Sequence, residues 1–390
     1  MKLESLVINS CLQRISFLST YPPRECGIAH FTKDLVDSIC KIDGLAPSII
    51  AMNEKGAIHD YDRRVKRKID MADIEDYIRA AEYINSTNVK LLIVQHEFGL
   101  FGGDHGEYLK LFLEKLNKPV ITTLHTVQPH FDQKSIEILR YIAKRSDSIV
   151  VISKAAVDFL NQQKIPYKKC VLIPHGCPKI EFISGESTKR SLGLEGRLVA
   201  ATFGLISSGK GIEYAIRALP EVVKKDPSII YLIIGATHPE VRKHEGEKYR
   251  NELMELVTQL GLEEHVRFTN RFLTKRELIK YLQATDIYLT PYISPDQISS
   301  GTLIYAVGAG TAVVSTPYYH AQEVLANNRG LLCKFRDSAS ITESLLRLLD
   351  DDFRHDIQRR AYKYSRRFLW ESVAGKYIKL IKSTIRATDG

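Results

Sequence analysis

Several stretches of this chain combine residue types that can do chemistry. Phe203-Gly204-Leu205-Ile206-Ser207-Ser208-Gly209-Lys210-Gly211 follows an apolar run and opens a helical one. A Gly-rich turn at a helix N-terminus lets backbone N–H groups and one lysine approach a phosphate. The spacing is nearly that of G-x-x-x-x-G-K-[ST], but residue 211 is Gly, so the hydroxyl that would ligate Mg²⁺ is missing. A second such turn is Pro291-Tyr292-Ile293-Ser294-Pro295-Asp296-Gln297-Ile298-Ser299-Ser300-Gly301-Thr302-Leu303. Ser299 or Ser300 can cap the helix that follows, and the leading amides of Gly301, Thr302 and Leu303 make another anion site.

Three loops add further candidates. In Tyr21-Pro22-Pro23-Arg24-Glu25-Cys26-Gly27-Ile28-Ala29-His30, Gly27 can admit a phosphate or sugar, whereas Cys26 reads as structural because no His is fixed beside it. Gln95-His96-Glu97 and Leu124-His125-Thr126 each begin where an apolar run stops, which makes Glu97 and His125 candidates for proton transfer. His96-Glu97 is not H-E-x-x-H, so a zinc-protease reading fails. The six cysteines, Cys11, Cys26, Cys40, Cys170, Cys177 and Cys333, lack zinc-ligand spacing and read as free thiols. No metal is expected.

The elements that must position these residues follow from periodicity. Short Val- and Ile-rich runs alternate with helical segments, the pattern of βαβ units around parallel sheets. Strands are expected at Ile15–Ser19, Ser48–Met52, Leu91–Gln95, Val120–Leu124, Ile149–Ser153 and Val171–Pro174, and, in a second series, at Leu198–Phe203, Ile229–Gly235, Val266–Thr269, Ile287–Pro291 and Ala312–Ser315. Every candidate above sits just past a strand, where open α/β sheets bind ligands. Periodicity fades around Glu181–Arg197. The expected organisation is an α/β domain over 1–183, a second over 196–352, and helices over 353–390 that return to the first.

With 390 residues, 44% hydrophobic and 26% charged, the chain is neither disordered nor a membrane bundle. About two domains of typical size fit this length. The net charge of +9 permits anionic partners. Two basic runs stand out, Arg63–Lys68 and Arg354–Arg367, and either could face a membrane surface or only water. No nucleic-acid-binding signature accompanies them. With no signal-peptide core at the N-terminus and no run of about 18 apolar residues, the expected location is cytoplasmic, with peripheral contact at the inner face of the membrane through the basic segments.

Taken in order, the Gly27 loop, the strand-to-His125 turn, Val151-Ile152-Ser153-Lys154, Ile173-Pro174-His175-Gly176, the Lys210 loop and Gly310-Thr311-Ala312-Val313-Val314-Ser315-Thr316-Pro317 resemble the GT-B glycosyltransferases of family 4 type. That resemblance implies two facing Rossmann-like domains with a helical C-terminal crossover. It implies a nucleotide-diphosphate sugar held mainly by the second domain, and a glycan or lipid-linked acceptor on the first. Lys210 and the amides of Gly301, Thr302 and Leu303, with Ser300 at the cap, would meet the donor diphosphate. Gly27 would line it from the first domain, and His125 would lie near the donor sugar.

Two departures stand out. The family's diphosphate-binding Arg falls on Leu205 or Ile206, and its two Glu residues, eight positions apart, fall on Gln297 and Tyr305. Neither replacement is acidic; Asp296 and Glu323 are neighbouring carboxylates that could supply the charge. The resemblance implies a retaining, metal-independent hexosyl transfer, with GDP-mannose or UDP-glucose as donor. An inverting enzyme would instead need a general base, Glu97 or His125. Two other readings stay open: a nucleotide-sugar-binding subunit without turnover, and a P-loop-like NTPase, against which the missing hydroxyl at Gly211 argues.

Overall fold

A computed structural model describes residues 15–43, 47–182 and 185–389. Cys11 lies outside them. The chain divides into two compact units, one of residues 1–176 with 370–390 and one of residues 177–369.

The first unit holds a seven-stranded sheet of β1 (Ile15–Ser19), β2 (Ser48–Asn53), β3 (Val65–Asp70), β4 (Leu91–His96), β5 (Val120–Leu124), β6 (Ser148–Val151) and β7 (Cys170–Leu172). Its order is β3-β2-β1-β4-β5-β6-β7, and every pairing is parallel. Parallel strands covered by helices on both faces bury every side chain, and β1, β4, β5 and β6 are buried at every residue. The edge strand β3 departs from that pattern. Its sequence VKRKID exposes Lys66 and Lys68 on one face, a charged edge that resists pairing with another chain.

The basic character of Arg63–Lys68 is therefore partly structural. Arg64 also pairs with Asp37 at 2.5 Å. The second basic run is similarly committed. Arg354 is buried and donates to the Leu348 carbonyl at 2.6 Å, Arg360 pairs with Asp356 at 2.6 Å, and Arg366 donates to the Gly308 carbonyl at 2.7 Å. Arg359, Lys363 and Arg367 of that run are exposed, Arg367 with its guanidinium 4.5 Å from the centroid of the Tyr364 ring.

The second unit holds β8 (Leu198–Phe203), β9 (Ile229–Ile234), β10 (Val266–Thr269), β11 (Ile287–Thr290), β12 (Ala312–Ser315) and β13 (Leu331–Leu332). Their order is β10-β9-β8-β11-β12-β13, again all parallel. Both orders reverse direction once, beside β1 and β4 in the first sheet and beside β8 and β11 in the second. Such reversals open a crevice at the strands' carboxyl ends. Gly27, Glu97 and His125 follow β1, β4 and β5, whereas Lys210 and Tyr292 follow β8 and β11.

Beyond residue 352, the two long helices part company. Asp351–Ser365 belongs to the second unit, while Trp370–Asp389 belongs to the first. Trp370, Tyr377 and Ile381 join Ile15, Phe17, Phe31 and Val36 in one buried cluster, and the Tyr377 hydroxyl lies 2.9 Å from that of Thr123 on β5. No described helix is long and apolar enough to cross a membrane.

The turn after β9 is tightly specified. Gly235 has φ of +143°, and a Cβ there would sit 2.0 Å from the Gly204 carbonyl oxygen. Both the conformation and the space demand glycine. Gly235→Ala should therefore lower the unfolding free energy by roughly 3–5 kcal/mol, combining backbone strain with overpacking. Denaturant unfolding reads this directly, and a loss below about 1 kcal/mol would show that the turn relaxes freely.

Candidate active site

In the second unit, β8 runs into the short turn Ser208–Lys210 and then the helix Ile212–Lys225. Gly211 joins them in the left-handed conformation, φ +61°, and a Cβ there would lie 2.3 Å from the Pro291 carbonyl oxygen. A Ser or Thr is thus excluded at that position by the close approach of the chain after β11. This is the physical reason the P-loop hydroxyl is absent.

Lys210 turns toward that same chain. Its Nζ donates to Tyr292 Oη at 3.0 Å and lies 4.7 Å from the centroid of the Tyr292 ring. Tyr292 Oη is 3.2 Å from Thr302 Oγ1, which is 3.3 Å from Ser300 Oγ. Ser300 caps the helix Gly301–Ala309 by accepting the Leu303 N–H at 3.3 Å, and its own N–H donates to His320 Nδ1 at 2.9 Å. One ammonium, three hydroxyls and a helix N-terminus, whose partial positive charge attracts anions, therefore converge. Leu303's amide is taken up by the cap, while Gly301 and Thr302 head the helix.

The other donor-side candidates stand differently. Gln297 is exposed, and its side-chain amide donates back to the Ser299 carbonyl of its own loop. Asp296 is half-buried in that loop, with its N–H donating to Ser294 Oγ at 3.3 Å. Tyr305 is half-buried on the helix Gly301–Ala309, one turn beyond Thr302, and packs against the apolar core of this unit. Glu323 is half-buried on the helix Tyr319–Leu325, and its backbone carbonyl accepts Arg329 at 3.0 Å.

In the first unit, Glu97 ends β4. One carboxylate oxygen accepts the Phe98 N–H at 3.1 Å and the other accepts the Thr126 hydroxyl. Burial pushes this carboxyl up, against the pull of those two bonds. The first bond fixes the carboxylate in its own loop, and the second ties the loop after β4 to that after β5. His125 Nε2 is 2.8 Å from Gln95 Oε1, which makes it the protonated nitrogen of a neutral ring, and burial pushes the imidazole down to about 3. Phe31 stands edge-on to His125 at 4.8 Å and to His175 at 5.0 Å. Gly27 begins the helix Gly27–Asp43, and a Cβ on it would meet nothing within 4 Å. The fold itself does not require glycine there.

Lys210, Ser300 and Thr302 lie past strand ends, after β8 and β11, and Tyr292 and His320, which local sequence pattern does not single out, join them in one hydrogen-bonded cluster. A tyrosine after a buried strand reads as core, and only the tertiary meeting of the chain after β8 with that after β11 brings it to Lys210. Among the described residues, no group of three His, Cys, Asp or Glu could hold a metal ion. The five described cysteines are free thiols.

Residues 27–178 match the model of glycosyltransferase family 4, and residues 185–367 that of glycosyl transferases group 1. Two glycosyltransferase domain models thus match the chain in succession, the family 4 model before residue 179 and the group 1 model from residue 185. An uncharacterized glycosyltransferase of Methanocaldococcus jannaschii is 26% identical over 266 residues, covering 66% of this chain and 63% of that one. Phosphatidyl-myo-inositol mannosyltransferase of Mycolicibacterium smegmatis is 24% identical over 278 residues, covering 70% and 67%. These alignments thus span about two thirds of each relative's length. Among solved structures, Anabaena HepE in complex with UDP and glucose aligns with a TM-score of 0.76 at 15% identity, covering 95% of this chain and 100% of that one. The chain has the GT-B fold: two parallel-sheet Rossmann-like domains and a C-terminal helix that belongs to the first.

Proposed function

We propose that the protein transfers a hexosyl group, mannosyl or glucosyl, from a nucleotide-diphosphate sugar to a glycan or lipid-linked acceptor, with retention and without a metal. The carrying observation is the Lys210–Tyr292–Thr302–Ser300 cluster at the head of the helix Gly301–Ala309. When the bond from the anomeric carbon to the phosphate oxygen breaks, the leaving diphosphate gains negative charge. An ammonium beside a helix N-terminus suits that charge. The acceptor oxygen takes the anomeric carbon, and its proton passes to a phosphate oxygen of the leaving group. In this reading Glu97 anchors loops and His125 lines the sugar site as a neutral ring held by Gln95. Gly27, with open space beside it, lets the sugar or phosphate approach the backbone.

The mannosyltransferase relative and the UDP and glucose of the HepE complex support the choice of sugars. Lys363 and Arg367, four residues apart near the end of a helix, offer exposed charge to an anionic membrane that carries a lipid-linked acceptor. A second reading, a binding subunit without turnover, draws on Gln297 and Tyr305 standing where the family has acids. Thermal-shift measurements with GDP-mannose and UDP-glucose, followed by an assay for released GDP or UDP, test both. At a hundredfold excess over Kd a donor stabilises the fold by about 2.7 kcal/mol. Stabilisation with nucleotide release supports the transferase, stabilisation alone supports the subunit, and no stabilisation by either donor sinks both.

A further inference from the structure

We propose that Tyr292 is a positioning residue that holds the Lys210 ammonium at rest and yields it to a diphosphate, so that anion capture here requires the Tyr292 phenol to be protonated. This rests on the reading of the cluster as a diphosphate site.

The geometry makes Tyr292 the fixed partner and Lys210 the movable one. The Tyr292 ring stacks on Tyr318, centroids 5.1 Å apart and planes 17° apart, and its backbone carbonyl accepts the Thr316 hydroxyl at 2.6 Å. The ring is buried, whereas Lys210 is half-buried on a flexible stem. Tyr292 Oη meets both Lys210 Nζ and Thr302 Oγ1. As a neutral phenol it gives its proton to Thr302 or to an arriving phosphate oxygen, and the ammonium keeps its net charge for the anion. As a phenolate it accepts from both neighbours, and the ammonium is neutralised from within.

The surrounding groups allow that change within an ordinary pH range. Burial raises the phenol, but the Lys210 ammonium and the hydroxyls of Thr302 and Ser300 outweigh it and bring Tyr292 down to about 8. Tyr288 on β11 and Tyr318, packed against it, are both pushed well above the ordinary tyrosine value and stay neutral. His238 is pushed down by burial first and by the Lys210 charge after it, and is neutral at this pH. His320 reaches the cluster only through the Ser300 N–H, which it accepts. Tyr292 is thus the group here that changes charge as pH passes 8. Above that point a diphosphate must displace the phenolate and return one proton to it, so affinity falls by up to about tenfold per pH unit.

The test uses the full chain with UDP and GDP as probes. Calorimetric titration of the better binder should give a Kd about tenfold weaker at pH 9 than at pH 7 for the wild type, and a nearly flat profile for Tyr292→Phe, which keeps the stack on Tyr318. Ultraviolet titration of the wild type should show one tyrosinate forming near pH 8, suppressed by saturating nucleotide and absent from Tyr292→Phe. The same pH dependence in both proteins, or no early tyrosinate in the wild type, overturns the proposal while leaving the diphosphate site standing. Unchanged binding by Lys210→Met overturns the diphosphate site itself, and binding of neither probe by the wild type removes both. The wild-type absorbance titration keeps the proposal falsifiable if Tyr292→Phe folds poorly.

Discussion

Lys210→Ala is expected to reduce sugar transfer by at least about 10²–10³-fold, the scale on which enzymes lose rate when one preorganised donor to a developing oxyanion is removed. The physical reason is that Lys210 is the cation of the Tyr292–Thr302–Ser300 cluster. Without it, the helix N-terminus and hydroxyls face the leaving diphosphate with dipoles alone. Because Lys210 is half-buried and bonds through its Nζ to Tyr292, its truncation should leave the melting temperature within a few degrees of wild type. Lys210→Arg should restore part of the loss, since it keeps the charge but not the compact ammonium that fits over the Tyr292 ring. Nucleotide release in the presence of acceptor measures the effect, and near-wild-type turnover by Lys210→Ala would remove this residue from the reaction.

The second large effect concerns acid. His96, His125 and His175 are held in the first unit with imidazoles pushed down, by burial above all, to about 3, 3 and 4. His96 is fully buried, and neither ring nitrogen has a hydrogen-bond partner. An unfolded histidine takes a proton near pH 6.5, whereas these folded ones do not until far lower. Between those values the unfolded state binds more protons, so stability is complete above about pH 6.5 and falls as pH drops. With three such groups the slope should approach ~4 kcal/mol per pH unit near pH 5. Trp370, the only tryptophan, is buried 5.6 Å from His175 and reports on this unit by fluorescence. Urea unfolding followed through Trp370 at several pH values should show the slope, and His96→Phe should reduce it by about one proton. A slope of one proton or less would mean that the rings are hydrated.

Much of the fold is written in local apolar runs. Strands β1, β5, β8, β10 and β12 fall on the expected residues, and β2, β4, β9 and β11 differ by one residue at an end. What escaped has a physical cause. The edge strand β3 carries VKRKID because half of it faces water, so its charge reads as a basic surface run and its pairing with β2 is invisible in composition. β13 has two residues, too few to show any period. The site divides along the same line. Lys210 and Ser300 are legible because turn and cap chemistry is local, whereas Tyr292 meets Lys210 across 82 positions of sequence. Gln297 shows the converse: its place in the motif order is legible, but not that its amide folds back onto Ser299.

The return of Trp370–Asp389 to the first unit has a consequence for how the molecule is made. The core around Ile15, Phe17 and Phe31 includes Trp370, Tyr377 and Ile381, which are translated after the whole of the second unit. During synthesis the second unit can close as soon as Leu369 has emerged, while the older N-terminal sheet still waits with an uncovered apolar face. Domains usually fold in the order in which they leave the ribosome. Here the first to be born is the last to be finished.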